Sequence, residues 1–595
     1  MTAKKRRKKR RTQVNRRIAP VLAAMLLIIA VLACMFISYL IEKYSPSKER
    51  MAWTEYYSVS GEDEVAVILN NELTDIKGRM IDGEVYVTTD TLYDYLNERF
   101  YWDQAENLLL YTTPTEVITA AVGSAAYSVG SQSYTEDYVP VKVDGDTAYV
   151  ALAYIQKYTG LQYEVMTDEV NRVNLTTKFG TVDTVTVKRN AQVRYRAGIK
   201  SPILTDVAKG DVLYVLPEED VGEWTKVRTS NGFIGYIRNR FLGEAGQETL
   251  TSNYEEPVYT NISKDYTINM AWHQVTNSDA NSNVLEMIAN TKGLTTISPT
   301  WFFLSDNEGN IESLASQTYV NYCHQNNIEV WALVEDIKYK DTILDYEILS
   351  RTSSRQRLVN NLIARAIEFD LDGLNIDFEY INQDSAKAYL QFLRELSIKC
   401  RQNGIVLSVD NYRPADHNAF YDLEEQGTVV DYVILMGYDE HYAGSETAGS
   451  VASINWVREG IELALEQVPA EKLINAVPFY TRLWEERPLT EEELAELSAT
   501  DTSTQVKVSS KAYGMDAIDE VLAANGAEKT WDETSGQYYA EYTADGNTYK
   551  VWLEEEESIA LKASLIKEYN LAGISAWKLG FERQDIWDVI LRYVN

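Results

Sequence analysis

One stretch, Asp372-Gly373-Leu374-Asn375-Ile376-Asp377-Phe378-Glu379, sets an amide and two carboxylates at alternate positions. Side chains of a strand alternate between faces, so Leu374, Ile376 and Phe378 share one face and Asn375, Asp377 and Glu379 the other. Helical patterns and short apolar runs alternate on both sides of it, which predicts a buried parallel strand rather than a solvated edge. Inward-facing carboxylates in such a strand need a partner or a function, because an unpaired buried charge is strongly disfavoured. The Cα atoms of Asp377 and Glu379 are about 6.6 Å apart at about 3.3 Å per residue. A negative Asp377 at that distance raises the pKa of Glu379 and keeps it protonated near neutrality, the state a general acid needs.

The stretch resembles the signature of family 18 glycoside hydrolases, in which an Asp-Gly opening leads to acidic residues at alternate places and ends in the catalytic Glu. Asp372, Gly373, Asp377 and Glu379 match; Asn375 departs, many chitinases carrying Asp there. Met436, Tyr438 and Asp439 resemble the sixth-strand motif of that family, Pro478-Phe479-Tyr480 with Arg482 its seventh, and Trp577 the residue beneath the cleaved sugar. The resemblance implies a substrate-assisted mechanism. Glu379 would be the sole general acid and base, and the substrate's own 2-acetamido oxygen the nucleophile. Asp377 would bond the amide N–H and stabilise an oxazolinium-like intermediate, and Tyr438 would orient the acetamido group. The spacing agrees, since two carboxylates on one strand do not easily flank a scissile bond as the usual retaining pair does. Asn375 can hydrogen-bond but cannot share a proton with Asp377, so activity is expected with a different pH profile. The same substitution resembles the subgroup acting on spore and cell-wall glycans, which favours peptidoglycan over chitin. A wall-binding lectin is the competing class, and the intact acid argues against it.

A barrel must surround such a strand. Apolar strand candidates recur at Ile268–Trp272, Thr295–Phe303, Glu329–Val334, Asp372–Glu379, Val406–Asp410, Val430–Tyr438, Leu473–Pro478 and Gly573–Trp577, with helical patterns between them. Eight strand–helix units with right-handed crossovers predict a (β/α)8 TIM barrel over 265–595, with catalytic residues at the carboxyl ends of the strands. In Ser385–Arg401, Tyr389, Phe392, Leu393, Leu396 and Cys400 fall at helical spacing, with Ser385 as cap and Gly404 as stop. The strand ends add Trp301, Asn411 and Tyr412 to Asn375, Trp577, Asp439, Met436, Tyr480 and Arg482 as substrate-binding candidates, since aromatic faces suit sugar rings and amides their hydroxyls. A bare barrel needs about 250 residues, so 487–557 is expected to be an α+β insertion whose runs Tyr538–Tyr542 and Tyr549–Leu553 form a hairpin.

The preceding chain reads as multidomain. Residues 1–17 hold ten Lys and Arg and no acid; the overall charge of −33 therefore leaves −43 for the rest. The apolar run 18–41 is long enough to span a membrane, and the basic residues before it place the amino terminus in the cytoplasm and the remainder outside. Val31-Leu32-Ala33-Cys34 resembles a lipoprotein processing box, which would instead lipidate Cys34. Segment 65–178 carries a weak repeat of about 63 residues: Glu84–Val87, a helix and Tyr101–Thr113 recur as Ala148–Ala151, a helix and Gln162–Thr177. It resembles the amino-terminal domain of copper amine oxidases, an α+β stalk expected to act as a spacer. Segment 184–244 has many short strands and resembles a bacterial Src-homology-3-like domain, a small all-β barrel, which implies binding of cell-wall peptides. Cys34, Cys323 and Cys400 are read as free thiols. His273, His324, His417 and His441 show no metal-ligand spacing, and neither a phosphate-binding loop nor a nucleophile elbow occurs, so no metal, cofactor or nucleic acid is expected.

Overall fold

The computed structural model describes residues 15–218, 221–496 and 506–594; most of the basic run at the amino terminus lies outside them. The chain divides into two compact units, Met1–Leu96 with Lys142–Glu256, and Asn97–Val141 with Pro257–Asn595.

The second unit holds the barrel. Its strands are β1 (Ile268–His273), β2 (Thr296–Leu304), β3 (Glu329–Glu335), β4 (Gly373–Asp377), β5 (Val406–Asn411), β6 (Tyr432–Met436), β7 (Leu473–Pro478) and β8 (Gly573–Trp577). Each pairs in parallel with the next, and β8 pairs with both β7 and β1, so the sheet closes on itself as a TIM barrel. Alternation sorts the side chains. Met270, Trp272, Trp331, Leu333, Ile434 and Ile474 fill the interior; Leu374, Ile376 and Phe378 face the helices. Gly373 is required by this packing, because a Cβ there would come within 2.6 Å of the Trp331 ring and 3.0 Å of the Val406 carbonyl. Asp372, just before β4, accepts from the Val330 N–H at 2.8 Å and bonds His324 at 2.8 Å. It therefore ties the start of the strand and has no place at the opposite, carboxyl end.

Two helices follow β3 and β4, α1 (Thr352–Glu368) and α2 (Ala386–Asn403). Gly404 stops α2 in the left-handed region, as its sequence predicts, but Ser385 makes no side-chain cap; its hydroxyl accepts instead from the Asn382 N–H at 3.0 Å. Beyond the expected apolar stripe, α2 also buries Gln391, Arg394, Glu395 and Ser397. The cover is an antiparallel meander of five strands, Phe100–Asp103, Leu108–Thr112, Val117–Ala121, Ala126–Val129 and Gln132–Thr135. These residues lie within the sequence repeat yet group with the barrel. Between β7 and β8, the strands Tyr480–Pro488, Val506–Gly514, Thr530–Asp532, Gln537–Ala544 and Asn547–Leu553 form a second antiparallel sheet with the helix Met515–Asn525. It includes the expected hairpin, with Tyr538 opposite Leu553 and Tyr542 opposite Tyr549.

The first unit contains a mixed seven-stranded sheet, in which Glu64–Leu69 runs parallel to Arg172–Thr176. It also contains an antiparallel seven-stranded sheet around Val187, Val193, Leu213, Val227 and Ile237. Its first helix, Asn15–Tyr44, is long and apolar enough over Pro20–Tyr44 to cross a membrane. Cys34 is exposed on it, Cys323 and Cys400 are buried, and none is in a disulfide.

Candidate active site

Asp377 ends β4 and Glu379 follows it, both half-buried at the carboxyl end of the barrel. They line a cavity of about 510 Å3 together with Trp272, Asp410, Tyr412, Met436, Tyr438, Asp439, Tyr480 and Trp577. The Trp272 and Trp577 rings, with centroids 6.0 Å apart and planes tilted by 58°, give the cavity a broad apolar surface. Tyr438 packs edge-on against Tyr480, whose hydroxyl donates to Asp439.

The backbone around Glu379 is held from both sides. Asp336, just past β3, accepts from the N–H of Glu379 at 3.0 Å and from that of Tyr380 at 2.9 Å. The Tyr421 hydroxyl donates to the Phe378 carbonyl at 3.0 Å. The Glu379 carboxylate itself accepts from the Tyr412 hydroxyl.

Acids converge here in a water-poor setting, and burial dominates their chemistry. Burial raises the Glu379 carboxyl above its ordinary range and the charge of Asp439 adds to this, while the Tyr412 hydroxyl and the Lys340 ammonium lower it. The direction matches the expectation from sequence but the cause differs. Asp377 is itself driven well above the carboxylate range, first by burial and then by Asp410 and Glu379, so it tends to hold a proton rather than impose a charge. Burial likewise raises Glu335 to about 7, with help from Asp336. Asp336 rises to about 6 and its hydrogen-bonded neighbour Asp345 to about 8.

Four candidates lie off the cavity. Asn375 is fully buried in the barrel interior beneath it: Trp272 Nε1 and Ser298 Oγ donate to its Oδ1 at 2.9 and 3.2 Å, and its Nδ2 donates to Ser408 Oγ and Asp410 Oδ1 at 3.1 and 2.8 Å. Trp301 is buried among the helices, donating to Asn281 Oδ1 at 2.8 Å: alternation puts it in phase with the helix-facing Ile297, while Thr300, in phase with the inward Ser298, lines the cavity. Asn411 points outward into a reciprocal amide pair with Gln426. Arg482 sits on the strand after β7, its guanidinium 5.9 Å from the Tyr480 ring centre. The residues missed are Asp410, Glu335 and Asp336. Strand alternation identifies the first, since Asp410 is in phase with Tyr412 and out of phase with Asn411.

A closed parallel barrel carries its active site at the carboxyl end of its strands, and the acidic, phenolic and indole groups there suit a glycoside hydrolase. Residues 266–582, more than half of the chain, match the family model of glycosyl hydrolases family 18, and the chain belongs to that family. Residues 189–243 match the bacterial SH3 domain and residues 67–174 the copper amine oxidase N-terminal domain. Among curated proteins, the chain is 28% identical over 302 residues to the uncharacterized glycosylase YvbX of Bacillus subtilis, covering 48% of this chain and 81% of that one. It is 30% identical over 247 residues to the cortical fragment-lytic enzyme of the same organism, covering 40% of this chain and 54% of the relative's length. A chitinase structure from Chromobacterium violaceum aligns with a TM-score of 0.47 at 21% identity, covering 55% of this chain and 98% of that one.

Proposed function

We propose that the chain hydrolyses β-1,4 N-acetylglucosaminyl linkages of peptidoglycan outside the cell by a substrate-assisted, retaining mechanism. The observation that carries this reading is the placement of Glu379, held by Asp336 and Tyr412, in one cavity with Asp377, Tyr438 and Trp577. Glu379, protonated because it is buried, gives its proton to the glycosidic oxygen as the bond to the anomeric carbon breaks. The substrate's acetamido oxygen closes on that carbon from the other face, the exception to the two-carboxylate rule. Asp377 accepts from the amide N–H, and the Tyr438 hydroxyl donates toward the acetamido group. Water then attacks the anomeric carbon as its bond to the acetamido oxygen breaks, and the water's proton passes to the Glu379 carboxylate.

Asn375 and the name of the cortical fragment-lytic relative favour peptidoglycan over chitin. The apolar helix would anchor the chain in the membrane, with the 67–174 segment as spacer and the SH3 domain on wall peptides. The test is digestion of purified peptidoglycan and of chitin oligomers by the full chain in detergent and by its Glu379→Gln variant, with mass spectrometry of the products. Fragments ending in reducing N-acetylglucosamine, made from peptidoglycan by the wild type alone, support the reading. Cleavage of chitin alone makes the chain a chitinase, and binding of both glycans without cleavage makes it a lectin.

A further inference from the structure

Asp410 is 3% exposed, lines the same cavity as Asp377 and was not needed for any step above. β4 and β5 pair in parallel with Ile376 opposite Val409. Asp377 and Asp410, one residue further on, are therefore neighbours across adjacent strands, about 4.8 Å apart in the backbone. The Asn375 amide has two donors and two acceptor sites; Ser408, Asp410, Trp272 and Ser298 take all four. None is left for Asp377, whose Oδ1 is buried with no hydrogen-bond partner. Two carboxyls this close in a buried site cannot both ionise, and they titrate as a pair holding one proton.

Resting on the catalytic reading above, we propose that Asp410 is a positioning residue, the proton partner through which Asp377 becomes an anion when substrate arrives. In the free site the proton sits on Asp377, and Asp410 is the anion to which Asn375 Nδ2 donates. When an acetamide N–H points at Asp377, the O–H bond there breaks and one forms on Asp410; the pair carries a charge of −1 before and after. Asp377 is then negative beside the positive charge developing on the acetamido carbon. The groups facing the pair favour keeping a single charge on it: Glu335 and Asp336 from the β3 end, Glu379 above, and the phenol of Tyr438 from the β6 end. Tyr389 of α2 and Tyr421 approach from the helix side. Asn375 thus costs the site no proton-sharing partner, because the carboxyl stands on the next strand.

The experiment compares kcat and KM against pH for wild type, Asp410→Asn and Asn375→Asp/Asp410→Asn in the full chain, each checked by its thermal melt. Asp410→Asn should lower kcat roughly 100-fold with little change in KM, and the second substitution, which returns a carboxyl beside Asp377, should restore most of kcat with a displaced pH profile. Wild-type kcat and profile in Asp410→Asn, or no recovery in a folded double variant, would overturn the proposal. A second readout needs no substrate: the infrared difference spectrum of wild type minus Asp377→Asn/Asp410→Asn at neutral pH, which removes both members of the pair, should show a protonated-carboxyl band. Failure of the wild type to cut either glycan would sink the catalytic reading alone, and absence of that band would sink the proton pair.

Discussion

Glu379 is tuned by the residues that touch it, and two substitutions separate their effects. The Tyr412 hydroxyl donates to the ionised carboxylate and so lowers its pKa. Tyr412→Phe removes that stabilisation, so Glu379 keeps its proton to higher pH and the alkaline limb of kcat/KM should move upward. Asp345 acts at one remove. Its proton bridges to Asp336, which fixes the Glu379 N–H, and rising pH strips that proton at about 8. Two adjacent anions then repel and the clamp loosens. Asp345→Asn keeps a donor toward Asp336 without the charge, so it should remove this second source of decline and leave the alkaline limb to Glu379 alone, read as a shallower fall of kcat through about pH 8 than in the wild type. The motif in β4 and its neighbours at strand ends were legible in sequence because alternation and residue type agree there. Trp301 is a candidate only by its position at a strand end, although alternation puts it in phase with the helix-facing Ile297, and the Asp336–Asp345 pair was not legible, since its partners are nine residues and a loop apart.

At the scale of elements, the barrel depends on a sheet that precedes it by more than a hundred residues. Helix α1 begins Thr352-Ser353-Ser354 without a cap of its own; Asp103, 1% exposed, accepts from both the N–H and the hydroxyl of Thr352 at 2.6 Å, and Glu106 accepts from the Ser353 N–H at 3.1 Å. Carboxylates at a helix start satisfy free N–H groups and complement its dipole. The meander also sets the Tyr101 ring 4.7 Å over the Arg355 guanidinium, which is paired with Glu395 at 2.9 Å, and Thr112 takes a hydrogen bond from Gln391 at 2.8 Å. Asp103→Ala should destabilise the barrel by about 2 kcal/mol, the usual value of hydrogen bonds to a buried charge, read as a lower urea midpoint. A chain beginning at residue 265 should unfold at lower temperature than the full chain, because the polar face of α2 loses its partners. Helical periodicity revealed the apolar stripe of α2 but carried no signal that Gln391, Arg394 and Glu395 are buried as well. Partners distant in sequence explain their burial: Gln391 bonds Thr112 of the meander, while Glu395 pairs with Arg355 and Arg394 with Glu425.

The whole molecule carries a charge of −33, and its buried acids give stability a direction in pH. Glu335 is raised to about 7, Asp336 to about 6, and Asp345 and Glu555 each to about 8, from ordinary values near 4. In the unfolded chain these groups ionise as pH passes their ordinary values, whereas the folded chain keeps their protons until the raised ones. Their contribution is therefore fully present below about pH 4 and is lost as pH climbs to about 8. Burial of His273, lowered to about 4, acts in the opposite sense only up to about 6.5, and it is one group against several. Glu493, lowered to about 2 by Arg487, contributes above its ordinary value and loses that contribution only in stronger acid. Growing negative charge works in the same direction as the raised acids through self-repulsion. The urea midpoint of the barrel should consequently be lower at about pH 8 than at about pH 5, and Asp345→Asn should flatten part of that fall. A midpoint that rises over this range would mean that the acids at the barrel mouth ionise freely in the folded protein, and would remove the basis for a protonated Glu379 as well.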